Sequence, residues 1–130
     1  MDLDTNKSLN ELLGDLTSDT TDSSALVTTC LTLHKKPLKD FTVENLRVMI
    51  GQSIGLDFLI PLALEVLEEN PFAEGDYYPG DLLSVVMKVE PSFWQTHQDL
   101  YWSVSEIVSG LPSLMSDLTD AIHRFEALSS

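Results

Sequence analysis

The sequence predicts an all-α fold, a single compact domain of about six helices joined by short Gly/Pro corners. Three observations predict it. Apolar residues recur at spacings of three and four through successive windows, the period of a helix with one face in a core. No stretch alternates apolar and polar with the period of two that a half-buried strand requires. Glycines, prolines and short polar runs fall between the periodic windows, where corners belong.

The first window, "SLNELLGDL", opens with a capping box, Ser8 followed three residues later by Glu11. Leu9, Leu12, Leu13 and Leu16 lie at helical spacing. The polar run Thr17 to Ser24 reads as a flexible connection. Residues 1–24 are therefore expected to form a loosely attached helix and connection, ahead of a helical domain over 25–130. "SALVTTCLTLHKK" reads as a helix capped near Ser23 or Ser24, with Leu26, Cys30, Leu31 and Leu33 inward, although its threonines and valine would also suit a strand. Pro37 ends it.

The next helix has clearer signals. Thr42 is its N-cap, Glu44 sits in the first turn, and Phe41 is placed to staple onto Leu46. Gly51 and Gly55 bracket the following corner. Asp57 is expected to cap "FLIPLALEVLEEN", which puts Pro61 in the first turn, where a missing N–H has no intrahelical acceptor to lose. That helix is apolar nearly all round, so it should be central. Asp81 is expected to cap "LLSVVMKV". Pro91 opens a helix whose inner face is Phe93, Trp94, His97, Leu100, Tyr101, Val104 and Val108. Gly110 and Pro112 should separate it from a last helix facing inward through Leu114, Leu118, Ile122, Phe125 and Leu128.

Charge narrows the function. Seven Lys and Arg stand against 21 Asp and Glu, a net charge of −14. Binding to phosphates requires cations that displace counterions, so direct nucleic-acid binding is disfavoured, and anionic membrane would repel the chain. A basic protein partner is favoured by the same field, though acidity also serves plain solubility. One cysteine, Cys30, permits no internal disulfide. The N-terminal residues lack the basic and apolar regions of a signal peptide. The apolar run from Ile54 is interrupted by Asp57, Pro61 and Glu65 and is too short to span a bilayer. The expected location is cytoplasmic.

Motifs for chemistry are scarce. Cys30 and His34 are four apart, a spacing that can pair metal ligands, but two ligands do not make a site; a buried Cys30 and a surface His34 are expected. His97 reads as a hydrogen-bonded, partly buried residue within its aromatic face, and His123 is solitary. Asn70 to Asp81 has the acid density of a Ca²⁺ loop with Gly75 in the sixth place. Phe72 stands at the third ligand position, however, and Asp81 closes the loop where Glu is required. No phosphate loop, nucleophile elbow or zinc-protease motif occurs. The reading is a non-enzymatic protein without cofactor or metal.

What remains is "EENPFAEGDYYPGDLLSVV", Glu68 to Val86, an acidic, turn-rich and aromatic corner. Tyrosines are common at interface hot spots, where surrounding charges select the partner. One of Tyr77 and Tyr78 is expected to fold back on the core. Trp94, Tyr101 and Trp102 would form a dimer patch if Trp102 faced out, but a core role is expected for them.

The stretch "KKPLKDFTVENLRVMIGQSIGLDFLIPLALEVLEENPFAEGDYYPGDLL" resembles the core of bacterial contact-dependent growth inhibition (CDI) immunity proteins, over about Leu26 to Glu90. The resemblance implies a cytoplasmic antidote that binds the toxic C-terminal domain of a large surface protein delivered by neighbouring cells. It carries over no catalytic residue. Its shared positions, Gly51, Gln52, Gly55, Pro61, Gly75, Tyr78, Pro79, Gly80 and Asp81, are read as structural. Many such toxins are basic nucleases, so Glu68, Glu69, Glu74 and Asp76, with Tyr77, are expected to occlude a basic cleft. The competing reading is an acidic helical adaptor or nucleic-acid mimic that regulates a host basic protein.

Overall fold

The computed structural model describes residues 4–14 and 25–128. It is all-α: α1 (Leu9–Leu13), α2 (Ala25–His34), a 3₁₀ turn (Leu38–Asp40), α3 (Val43–Gly51), α4 (Leu56–Glu69), α5 (Asp81–Met87), α6 (Pro91–Thr96) and α7 (Gln98–Ala127), with no strand among the described residues. No helix among them is long and apolar enough to cross a membrane. The polar run and the expected cap of α2 at Ser23 or Ser24 lie outside the described residues.

As its composition demands, α4 occupies the centre, burying Leu59, Ile60, Ala63, Leu64 and Leu67. Leu46, Met49 and Ile50 of α3, Leu82, Leu83 and Val86 of α5, and Val104 of α7 close around it. Each such side chain contributes about 1.5–3 kcal/mol when fully removed from water. Leu9 of α1 is wholly buried in the same cluster, and Ser8, the α1 cap, pairs by a β-bridge with Pro37. From α2, Cys30 and Leu33 point inward, but Leu26 is exposed. His34 is not a surface residue: it is buried, its Nδ1 bonded to Asn10 Oδ1. Asn10 of α1 supplies the polar partner that lets the imidazole leave water.

Local signals explain most boundaries. Thr42 caps α3, its hydroxyl accepting from the Asn45 N–H at 3.1 Å while Asn45 Oδ1 accepts from the Thr42 N–H at 3.1 Å. At the other end of α3, the Ile54 N–H donates to Met49 O and the Ser53 N–H to Ile50 O, the double bond of a Schellman turn. The left-handed residue of that turn is Ser53, at φ 59°. Gly51, two positions earlier, ends the helix; a Cβ there would meet only Val85 Cγ1 at an ordinary 3.8 Å. Gly51 is therefore the last residue of α3, and the left-handed place in the turn belongs to Ser53. Gln52 is the C-cap.

The start of α4 also differs from expectation. Gly55, at φ 66°, is the cap, and a Cβ on it would lie 2.9 Å from Leu9 Cδ1, so the glycine admits α1 against the helix. Asp57 is in the first turn, where a carboxylate favours the helix dipole, and its Oδ1 lies 2.8 Å from His97 Nε2. Pro61 consequently falls beyond the first turn and forfeits a bond to the Asp57 carbonyl.

The helix expected from Pro91 breaks at His97, whose ring stacks on Phe93 and whose Nδ1 lies 2.9 Å from the Phe93 carbonyl oxygen. The break expected at Gly110 and Pro112 is absent, and α7 runs through both. Proline's fixed φ is compatible with a helix, and the cost is one bond to Val108 O. From Pro112 to Leu128 every residue is exposed, so Leu114, Leu118, Ile122, Phe125 and Leu128 face solvent and not the core. Helical spacing shows that a face exists; it does not show what covers it.

The displaced glycine yields a test. Gly51→Ala should stabilise the fold by about 0.5–1 kcal/mol, the helix-interior preference for Ala. Ser53→Gly should add about 1 kcal/mol by relieving the left-handed backbone. Urea unfolding midpoints should rise in both variants with an unchanged denaturant slope.

Candidate functional site

The corner between α4 and α5 is organised by a carboxylate that water does not reach. Asp81 is 2% exposed. It is not the cap of α5: Gly80 holds that place at φ 90°, a conformation that favours glycine, and Asp81 is the first helical residue. Its side chain turns back into the loop. Oδ1 accepts from the Gly75 N–H at 2.7 Å and Oδ2 from the Tyr77 N–H at 3.1 Å. Burial pushes the Asp81 pKa up, but the N–H groups of Gly75, Tyr77 and Tyr78, with Arg47 nearby, outweigh it and hold the carboxyl below its ordinary range.

A second carboxylate completes the support from α3. Glu44 binds Arg47 through two bonds, from Nε at 2.6 Å and Nη2 at 2.5 Å. Its Oε1 also accepts from the Asp76 N–H at 2.9 Å. The Arg47 bond, aided by that backbone N–H, lowers the Glu44 pKa against the opposing effect of burial. Arg47 Nε lies 3.9 Å from Asp81 Oδ2, and the guanidinium carbon sits 4.3 Å from the centre of the Tyr77 ring. Three charged side chains from α3 and α5 thus form a cradle beneath Gly75, Asp76 and Tyr77. Gly75 is required there by contact: a Cβ would lie 2.5 Å from Glu44 Oε1. Glu74 and Pro79 close the loop by a β-bridge, and the Gly80 N–H donates to Phe72 O at 3.1 Å.

The cradle turns the loop outward. Tyr77 is 71% exposed and Tyr78 half exposed, so neither folds back on the core; Arg47 occupies the underside of Tyr77. Glu74 and Asp76 are exposed beside them. Glu68 and Glu69, also exposed, stand at the end of α4. Among the described residues no hydrogen bond or ion pair ties these two to the loop, so the cradle brings together Asp76, Tyr77 and their supports, and leaves Glu68 and Glu69 as separate charges. Glu44 and Arg47 are the residues that sequence reasoning missed. Their spacing of three on one helix was the available signal, an ion pair on one face of α3.

A second surface lies across the molecule's aromatic face. Met87, Trp94, Tyr101 and Trp102 line an open groove of about 560 Å³, and Trp102 is 63% exposed, so the core role expected for it is not met.

The sequence model of a family described as CDI immunity proteins matches residues 12–104. The chain belongs to that family. The match covers most of the chain and the whole cradle, from Leu12 on α1 to Val104, the last buried residue of α7. No curated protein matches the chain. The role of this CDI immunity protein is protection against a CDI toxin.

The cradle makes the immunity protein acid-sensitive in a defined direction. Asp81 and Glu44 both have lowered pKa values, so the unfolded chain binds more protons than the fold. Their contribution is complete above the ordinary carboxylate value of about 4 and is lost as pH falls through the lowered folded values. Asp81→Asn should cost about 2–3 kcal/mol at neutral pH, since an amide offers one acceptor oxygen where a carboxylate offers two. Urea unfolding at a series of pH values should show a shallower acid decline in that variant than in the parent.

Proposed function

We propose that this immunity protein neutralises a nuclease toxin domain by covering its basic cleft with the acidic surface of the α4–α5 corner, using Glu68, Glu69, Glu74, Asp76 and Tyr77. The observation that carries this reading is the cradle. Buried Asp81 and partly buried Glu44 hold the loop backbone by its N–H groups, while Tyr77 and the Asp76 carboxylate are left exposed. A loop ordered in the free protein loses less entropy when it docks. Net charge of −14 supplies the field that draws a basic partner in. Carboxylates on the corner then stand where phosphates would lie, and Tyr77, stiffened by Arg47, provides the contact area of a hot spot.

The test is a binding titration against the toxin domain at low and high salt. Association should be fast at low salt and slow steeply as salt rises. Converting Glu68, Glu69, Glu74 and Asp76 together to Lys should slow association by about a hundredfold at low salt while leaving the circular dichroism spectrum unchanged. Tyr77→Ala should weaken binding by about thirtyfold, chiefly through faster dissociation. Salt-independent binding that survives the charge reversal but is lost in Trp102→Ala would move the interface to the aromatic groove. No toxin binding at either salt would favour the acidic adaptor that regulates a host basic protein.

A further inference from the structure

The end of α7 carries an apolar stripe with nothing over it among the described residues. Leu114, Met115, Leu118, Ile122, Phe125 and Leu128 are each about half exposed or more, Phe125 reaching 74%. Together they make a run of exposed large apolar side chains along one helix, the kind of patch that marks an interaction surface. The stripe continues the face that α7 already uses. Val104 is buried in the core, and Ile107, Val108 and Leu111 pack against it. At Pro112 the domain ends and the same face runs on uncovered. A helix segment of roughly 15 residues that buries none of its side chains is marginal in water, so a partner for this face would stabilise it.

We propose that the partner is a second copy of this chain, its α7 end packed antiparallel on the first. The heptad pattern selects that arrangement. With Leu111, Leu118 and Phe125 at a, the d positions are Leu114, Ala121 and Leu128. Antiparallel packing sets a against d, giving layers of Leu111 on Leu128, Leu114 on Phe125 and Leu118 on Ala121, each occurring twice. Large side chains thus meet small or complementary ones. Parallel packing would set Ala121 on Ala121 and Phe125 on Phe125, leaving a void in one layer and crowding in another.

The flanks agree with the same register. Met115 and Ile122 fall at e and meet each other across the antiparallel pair, extending the apolar seam. Asp117 and Arg124 fall at g and also meet, so two symmetry-related ion pairs of opposite charge edge the seam. In the parallel arrangement Asp117 would face the apolar e position Ile122 instead. A single register satisfies the core layers, the apolar flank and the charged flank together. It also places the two domains at opposite ends of the shared helix pair, clear of one another. The family match ends at Val104, so the seam lies in the part of the chain beyond it.

Sedimentation equilibrium of the full chain over a range of concentrations tests this without the toxin. A monomer–dimer equilibrium is expected for the parent. Leu118→Glu should give a monomer at every concentration, with the urea midpoint of the domain unchanged because the position is solvent-exposed. Asp117→Arg alone should weaken dimerisation by about tenfold, since two attractive pairs become repulsive, and adding Arg124→Asp should restore it. A parent that stays monomeric overturns the proposal. So does a dimer that Leu118→Glu leaves intact, or one in which the double charge exchange fails to restore what the single change removed. Loss of toxin binding in Leu118→Glu, from a parent that is monomeric alone, would assign the stripe to the toxin.

Discussion

Placing a carboxylate where water cannot reach it is costly unless its lone pairs are filled, and the α4–α5 corner of this immunity protein is arranged around that constraint. Asp81 is filled by the backbone of the loop that precedes it. The loop cannot leave without stranding a buried charge, so its shape is coupled to the packing of α5 against the core. Glu44 extends the coupling to α3 through Asp76, and Arg47 balances two carboxylates that would otherwise repel at close range. The exposed tyrosines and acids are thus carried on a polar substructure with its own internal accounting of donors and acceptors.

That arrangement separates two roles which the composition alone conflates. Many of the chain's acids are solvated and contribute only to the overall field. Glu44 and Asp81 are different: they act inward, on backbone N–H groups, and their pKa values are lowered accordingly. The electrostatic character of the surface and the rigidity of the surface therefore have different residues behind them.

Local signals were legible. Thr42, Phe41 and the apolar periodicity of α3 and α4 announced those helices, because caps and one-sided apolar spacing are properties of a few neighbouring residues. Long-range pairings were not. Nothing near Gly75 indicates that its neighbour Asp76 will meet a carboxylate 32 positions away. His34 looked exposed because Asn10, its partner, belongs to another helix. Pro112 looked like a terminator because the rule concerns a lost hydrogen bond, and a single lost bond at an exposed position is tolerated. At the end of α3, Gly51 and the left-handed Ser53 are two places apart, whereas Gly55 in the same corner is itself left-handed, so the usual marker held for one glycine and not the other.

Cys30 is the chain's single thiol, and it is buried beside Leu33 in the interior, where removal from water raises its pKa. At neutral pH very little of it is thiolate, the form that exchanges with disulfides or reacts with oxidants. Burial thus keeps this thiol out of disulfide exchange with a partner. For an attachment that is not covalent, protection depends on how much of the immunity protein a cell keeps in stock relative to the toxin that arrives.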